Sequence, residues 1–413
     1  MKPKKITFID LFAGAGGLSE GFICAGYTPI SHVEMNPDAC NTLRTRACYH
    51  YLKNNNELDK YYDYLRSYIS RSDLYSLVPK SIINSVIQEQ MNDQTMDSIY
   101  ARIDDAIKAE GISHVDLIIG GPPCQAYSQV GRSRKCMDND HRNDLYKLYS
   151  QVLRRYEPKM FVFENVPGLI TAGDGKYLEL IKQAFISLGY ELKYDVVDAS
   201  EFGVLQRRKR IILIGWKKGM NRKYPVFDKI PLSYKICDIL NDLPAIQAGQ
   251  SSSQYRLYDF SQYLKDNEIR TKKDVLTWHV ARGHIERDRS IYRLAIKAWN
   301  DNQRRLKYSE LPDSLSTHKN KEGFLDRYKV VAEDLSASHT MMAHICKDGH
   351  YYIHPDLEQA RSITVREAAR IQSFPDSYYF EGSRTAAFTQ IGNAVPPLMA
   401  KNVAIALRSN WGG

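Results

Sequence analysis

Nowhere do the 413 residues run apolar for the length a bilayer requires, so no membrane-spanning role is expected. The start, Met1-Lys-Pro-Lys-Lys5, is basic, but Asp10 follows before any long apolar run, which argues against a signal peptide and for the cytoplasm. Cysteine is scarce: seven residues, an odd number, with no Cys-x-x-Cys pair. That excludes a disulfide framework and fits a reducing compartment. His339, His344, Cys346, His350 and His354 crowd together, but their spacing matches no standard structural zinc site and no second cysteine is near. No metal is expected. Internal repeats and long low-complexity tracts are also missing, while a hydrophobic fraction of 43% and a charged fraction of 25% are ordinary for a globular protein.

What the chain does have is an uneven charge. Its formal net charge is +9, and residues 216–330 alone hold 23 lysines and arginines against 14 acids, which accounts for the whole excess. A basic excess confined to one segment suits either a polyanion-binding surface or a merely solvated face.

The hydrophobic pattern is that of an α/β protein. Residues 6–12 form a buried apolar run followed by the small-residue turn Ala13-Gly-Ala-Gly-Gly17. Helical spacing from Leu18 to Ala25 ends at Gly26, and a second short strand, Thr28 to Val33, stops at Glu34. Further buried runs at 115–119, 160–163 and 211–215 predict a doubly wound, mostly parallel sheet. Residues 45–112 read as a mostly helical insertion, with helical periodicity in 82–87 and 99–107. Together they define a first domain, 1–215. A smaller, irregular second domain is expected over 216–345, and 346–413, with helices at 364–372 and 394–407, returns to the first.

Three features carry chemistry. Gly14 and Gly16 permit a tight turn and close approach of a ligand to a helix N-terminus. Glu34, eighteen residues beyond Gly16 at a strand end, suits the hydroxyls of a ribose. A third glycine at the dinucleotide position is missing, because Ser19 stands there, and that weakens a nicotinamide reading. Cys124 in Gly120-Gly-Pro-Pro-Cys-Gln125 follows a buried strand at the ligand-binding edge of such a sheet. A cysteine there is either packing or a nucleophile, and the stiff Pro-Pro before it favours the nucleophile. Glu164, past another strand end, is either a surface carboxylate or an acid kept protonated in a partly dry pocket.

Six motifs stand in one order: Phe8-Ile-Asp-Leu-Phe-Ala-Gly-Ala-Gly-Gly17, Pro123-Cys-Gln125, Glu164-Asn-Val166, Gln206-x-Arg208-x-Arg210, Arg366-Glu-Ala-Ala-Arg-Ile-Gln-Ser-Phe-Pro375 and Gly392-Asn-Ala-Val395. This set resembles the cytosine-C5 DNA methyltransferases, of the bacterial restriction-modification type. The resemblance implies S-adenosylmethionine as methyl donor, held by Phe12, Gly14, Gly16, Glu34 and Asn393. It implies that Cys124 attacks C6 of a cytosine extruded from the duplex, with Glu164 at N3. Arg208 would hold the pyrimidine carbonyl oxygen, with Arg210 supporting it. The family's acidic residue for the adenine amino group should lie between Glu34 and Cys124, and both Asp97 and Asp104 are candidates. The basic loop with Gly131-Arg-Ser-Arg-Lys135 and His141-Arg142 resembles the family's closing loop, and 216–345 takes the position of its target-recognition domain.

The implied partner is double-stranded DNA, bound by a monomer at the nucleoid, with host protection against a paired restriction endonuclease as the role. A tRNA cytosine-C5 methyltransferase of the same fold is the alternative; the sizeable basic segment favours DNA. A nicotinamide-dependent dehydrogenase leaves Cys124 and Glu164 without a task. A catalytically dead DNA-binding protein does not need every chemical residue to be present.

Overall fold

Strand β1 (Thr7–Leu11) is buried along its whole length, as a continuous apolar run in a central strand should be. In the computed structural model, which describes residues 5–123, 145–317, 325–409 and 411, it lies inside a seven-stranded sheet. Its partners are β2 (Thr28–Glu34), β3 (Val86–Gln88), β4 (Leu117–Gly120), β5 (Met160–Asn165), β6 (Tyr190–Asp198) and β7 (Lys209–Lys217), in the order β3-β2-β1-β4-β5-β7-β6. The first five are parallel, and β7 runs antiparallel to both β5 and β6. The expected doubly wound, mostly parallel sheet is therefore the one found. Cys124, the segment Gly131-Arg-Ser-Arg-Lys135, His141 and Arg142 lie outside the described residues.

Alternation along the strands sends side chains to two apolar layers. Ile9, Leu11, Ile118, Phe161, Phe163 and Leu213 join α6 (Met96–Ala109), α7 (Leu145–Tyr156) and α8 (Lys176–Ile186) on one face. Phe8, Leu117, Ile119, Val162, Ile212 and Ile214 meet α1 (Gly17–Cys24) and the C-terminal helix on the other. That helix comes so close to α1 that a Cβ at Gly21 would stand 2.4 Å from the Cβ of Ala400. A side chain there would force the two helices apart.

Four helices, α2 (Pro37–Asn54), α3 (Leu58–Leu65), α4 (Arg71–Ser76) and α5 (Lys80–Asn84), follow β2. Helix α2 starts where Asn36 caps the Ala39 N–H, with proline at the first helical position. One expectation fails here. The helical reading of 82–87 stops at Asn84, and Val86–Gln88 is the edge strand β3, which pairs with β2 and belongs to the sheet. Two apolar residues suffice because β3 is only three residues long. Edge strand β6, with its alternating Tyr190-Glu-Leu-Lys-Tyr194, was not expected either; charges on its open face suit an edge.

Beyond β7 the chain is irregular, with short helices α9 (Cys237–Leu240) and α10 (Gln262–Asp266) and the longer α11 (Glu286–Asn302). Then come α12 (Val365–Ile371), α13 (Arg384–Asn393) and α14 (Pro397–Ser409). Helix α12 begins at a capping box, in which Thr364 and Glu367 satisfy each other's backbone N–H groups. Packing does not break at residue 345. Ile236, Ile239, Leu264 and Val331 share one apolar cluster with Tyr352, Ile371 and Phe388.

Asp10 is the oddity of the core. It is 1% exposed, and its Oδ2 has no hydrogen-bond partner among the described residues. Burial, and then the charge of Glu34, push its pKa well above the ordinary aspartate range. A carboxyl with a raised pKa takes up a proton on folding. Its contribution is therefore complete below the unfolded value, about 3.9, and is lost at about 1.4 kcal/mol per pH unit as pH rises toward the folded value. Asp10→Asn has no such penalty. The thermal midpoint of the variant minus that of the wild type should increase between pH 4 and pH 8; a pH-independent difference would show that Asp10 is ionised in the fold.

Candidate active site

The carboxyl ends of β1, β2, β4 and β5 and the start of antiparallel β7 all open on one edge of the sheet. Phe12 leaves β1 with a left-handed φ of 56°, a conformation that strains a residue with a bulky side chain and aims the glycine turn. Gly14 also lies in the left-handed region, and a Cβ there would meet nothing within 4 Å among the described residues, which leave the space above the turn clear. The N-terminus of α1 at Gly16 has no side-chain cap. Its N–H groups are thus disposed to receive an anionic group such as a carboxylate.

Glu34 ties two turns together. One carboxylate oxygen accepts from Gly14 N at 2.8 Å and the other from Asn36 N at 2.7 Å. Remaining lone pairs can still accept from hydroxyls, because the residue is only half-buried. Met35 beside it is 58% exposed, a soft apolar side chain suited to a flat ring. Ser19, where a dinucleotide fingerprint would have glycine, bonds to buried His32 at 2.6 Å. Burial first, and then nearby His50, push His32 down to about 4, so it stays neutral.

Of the two candidates for the adenine contact, Asp104 is taken up by Arg155 at 2.5 Å and the Tyr156 hydroxyl at 2.9 Å. Asp97 is exposed in the first turn of α6. Neither is bonded to the Glu34 strand end. Glu89 is: its N–H donates to Glu34 O at 3.0 Å as the chain leaves β3. The signal for it was the short Val86-Ile87 strand, easily lost inside a helical reading.

Glu164 lies inside β5, one residue before its end, rather than beyond it. Gly121 makes room for it, since a Cβ there would lie 2.4 Å from Glu164 Oε2. Arg210 Nε stands 2.7 Å from Glu164 Oε1, with both side chains only about a tenth exposed (11% and 12%). Burial raises the Glu164 carboxyl above its ordinary value, and the charges of Arg210 and then Arg208 pull against that without cancelling it. The next residue, Asn165, donates to Pro122 O at 3.3 Å. This bond couples the Glu164 turn to the turn that leads into Cys124.

Arg208 is not where the sequence pattern expects it to act. It is 1% exposed and donates to Met341 O at 2.5 Å and Gly392 O at 2.9 Å, so its guanidinium holds backbone rather than lining the open edge. Burial, and then the charge of Arg210, lower its pKa. Gln206 completes the arrangement: it donates to Gln372 Oε1 at 2.9 Å and accepts from Met341 N at 2.7 Å. Gln372 in turn donates to Ile391 O at 2.7 Å. Asn393, the last residue of α13, is thereby delivered to the region, where it is exposed.

Three of the four histidines near residue 345 have polar partners, His339 with Tyr351 O, His350 with the Tyr292 hydroxyl at 2.8 Å and His354 with Glu367 at 3.6 Å, while His344 packs against the Tyr351 ring. Among the described residues no group of three His, Cys, Asp or Glu is placed to hold a metal ion. No helix among them is long and apolar enough to cross a membrane.

A family model of C-5 cytosine-specific DNA methylases matches residues 6–69 and 86–409. The chain belongs to that family. The methylase is thus an enzyme that transfers a methyl group to C5 of cytosine in DNA, and its family's methyl donor is S-adenosylmethionine. It is 44% identical to a type II methyltransferase of Bacillus paralicheniformis, over 97% of this chain and 98% of the relative. It is also 30% identical to one of Haemophilus parahaemolyticus, over 97% of this chain and 86% of that one. A solved structure described as a DNA modification methyltransferase from an E. coli prophage shares the fold, with a TM-score of 0.62 and 24% identity over 98% of this chain and 99% of that one. Within 45–112, residues 70–85 fall outside the family match.

Replacing Arg208 tests its placement. Arg208→Met orphans two buried carbonyls, at about 1–3 kcal/mol each. Denaturant titration should show that loss, with weaker cofactor binding because Gly392 and Asn393 lose their anchor. Full stability with activity alone abolished would return Arg208 to the substrate.

Proposed function

We propose that this methylase modifies one cytosine within a specific duplex sequence through a covalent adduct on Cys124, protecting host DNA from a cognate restriction endonuclease. The observation that carries the chemistry is the buried Glu164–Arg210 pair, tied through Asn165 to the Pro122 turn two residues before Cys124. The protective role is supported by relatives that are themselves named type II methyltransferases. Residues 216–345, which contain the basic excess, are the reading segment in this proposal.

The open glycine turn, the uncapped α1 terminus and the half-buried Glu34 fit an adenosine cofactor with a charged tail. Phe12, Gly14 and Gly16 shape the cradle, and Glu34 accepts from the ribose. Met35 flanks the adenine, Glu89 takes its amino group, and Asn393 closes the far side. Bound adenosylmethionine supplies an electrophilic methyl group.

In the reaction the target base leaves the stack, since its C6 cannot be reached inside a duplex. The Cys124 thiolate forms a bond to C6 while protonated Glu164 gives its proton to N3. Arg210, in place of Arg208, holds the carbonyl oxygen as charge develops on the ring. C5, now an enamine carbon, would take the methyl group as the donor's S–CH3 bond breaks and its sulfur leaves as a neutral thioether. Transfer of the C5 proton to water restores the C5–C6 double bond and expels the thiolate, and the N3 proton returns to Glu164.

Labelled methyl transfer onto duplex DNA and onto tRNA decides the substrate. Transfer to duplex is expected, and transfer to tRNA alone would overturn the assignment. Cys124→Ser should abolish transfer while cofactor and duplex binding persist; retained turnover sinks the adduct. Glu164→Gln should cost about 10²–10⁴-fold in rate. Because Glu164 acts protonated, kcat/KM should fall as pH rises through its raised pKa. Arg210→Gln removes a charge that lowers that pKa, so the alkaline limb should move to higher pH in the residual activity. A downward shift would contradict the acid role.

A further inference from the structure

The chain entering β7 alternates sharply in burial. Gln206 and Arg208 are 0% and 1% exposed and face the buried carbonyls and amides described above. Arg207 and Lys209 between and after them are exposed, and neither side chain has a partner among the described residues. Their backbone is nevertheless fixed. Arg207 N donates to Ser338 O at 2.9 Å, and its carbonyl accepts from the Thr340 hydroxyl at 2.7 Å. Arg208 N donates to Asp198 Oδ1 at 2.9 Å, and Lys209 pairs with Asp198 in the β6–β7 ladder. Two unpaired cations thus stand on a rigid strap, about 7 Å apart on one side of an extended segment.

The strap overhangs the catalytic edge. The β5–β7 ladder ends at Asn165 opposite Ile211, so residues 207–210 project past the end of β5, next to Glu164 and its partner Arg210. A surface arginine is ordinarily solvated and does nothing. Here two cations whose side chains have no ion-pair partner among the described residues stand just before Arg210, which takes the base in the proposed reaction, and the polyanion that must come to this edge is the substrate's own backbone. We propose that Arg207 and Lys209 are positioning residues that grip the two phosphates on either side of the extruded cytosine. They fix the nucleotide's backbone while Arg210 and Glu164, reached from the other side of the same strap, take its base.

This rests on the assignment of duplex DNA as substrate, and the test separates the two. Methyl transfer to unmethylated plasmid DNA is measured from low to high salt for the wild type, for the double variant Arg207→Gln/Lys209→Gln, and for Lys108→Gln as an exposed cation elsewhere. Each phosphate contact contributes about 0.9 to the slope of log affinity against log salt. The double variant should lose about 1.8 from the slope of log kcat/KM against log salt, with KM for DNA raised about tenfold or more at fixed salt. The cofactor's KM and the thermal midpoint should stay put, and Lys108→Gln should keep the wild-type slope. Unchanged slope and KM in the double variant would overturn the phosphate grip while leaving the substrate assignment intact. Failure of the wild type to act on duplex DNA would overturn both.

Discussion

Two buried amides, Gln206 and Gln372, hold together parts of the chain that are otherwise far apart. Gln206 reaches Gln372, Gln372 reaches Ile391 O, and Arg208 beside them grips Met341 O and Gly392 O. Every one of these groups is out of water, so each unmade bond would cost about 1–3 kcal/mol, more than the bond itself contributes when made. That asymmetry makes the network a specificity device more than a source of net stability. It leaves one register in which α13 can return, and that register brings Ala394 and Val395 against Gly17 of the glycine turn and packs α14 on α1.

The same constraint tunes the chemistry. Because Gln206 and Arg208 must point inward, an extended segment sends Arg207 and Lys209 outward and leaves Arg210 to meet Glu164 at the mouth of the sheet. Two opposing effects act on Glu164. Burial favours its neutral form, Arg210 favours its charged form, and burial wins. An acid in this balance can give up a proton to a ring nitrogen and take it back, which neither a solvated glutamate nor a fully paired one does as well.

Much of this was legible in the residues. The strands at 6–12, 115–119, 160–163 and 211–215 announced themselves as apolar runs, because the central strands of a mostly parallel sheet are buried on both faces. Cap chemistry at Thr364 and Glu367 marked the start of α12. Edge strands were harder. β3 has three residues and β6 is half charged, so neither shows a continuous apolar signal. Glu89 was missed with β3, since a carboxylate at a strand end is invisible when the strand is. The resemblance put Arg208 at the pyrimidine carbonyl oxygen with Arg210 in support, whereas the fold sets Arg208 on backbone carbonyls and Arg210 beside Glu164. Both lie on the same side of an extended segment, and only their tertiary partners, Met341 O and Gly392 O for one and Glu164 for the other, tell them apart. The side-chain partners of His339, His350 and His354 likewise emerge from tertiary contacts, not from spacing.

The segment proposed to read the duplex is bolted to the catalytic half by charge. Arg370 of α12 lies between Asp376 and Asp242, with bonds of 2.6 to 2.9 Å to the two carboxylates, and Arg270 closes on Asp242 from the other side. All of these side chains are 5% exposed or less. Removing one partner from such a buried set costs about 3–5 kcal/mol, because an unpaired charge is left behind, whereas an apolar substitute for the whole set often costs nothing. Stability alone therefore does not explain the choice of charge here. Directionality does: guanidinium forks and carboxylates admit one relative orientation, while an apolar contact admits many. An enzyme that must recognise bases with one segment and deliver one of them to Glu164 with another needs the distance between the two held fixed. Asp242 and Arg270, on the reading side, and Arg370, one residue from Ile371 whose carbonyl Gln206 faces at 3.5 Å, span that distance in a single chain of directed bonds.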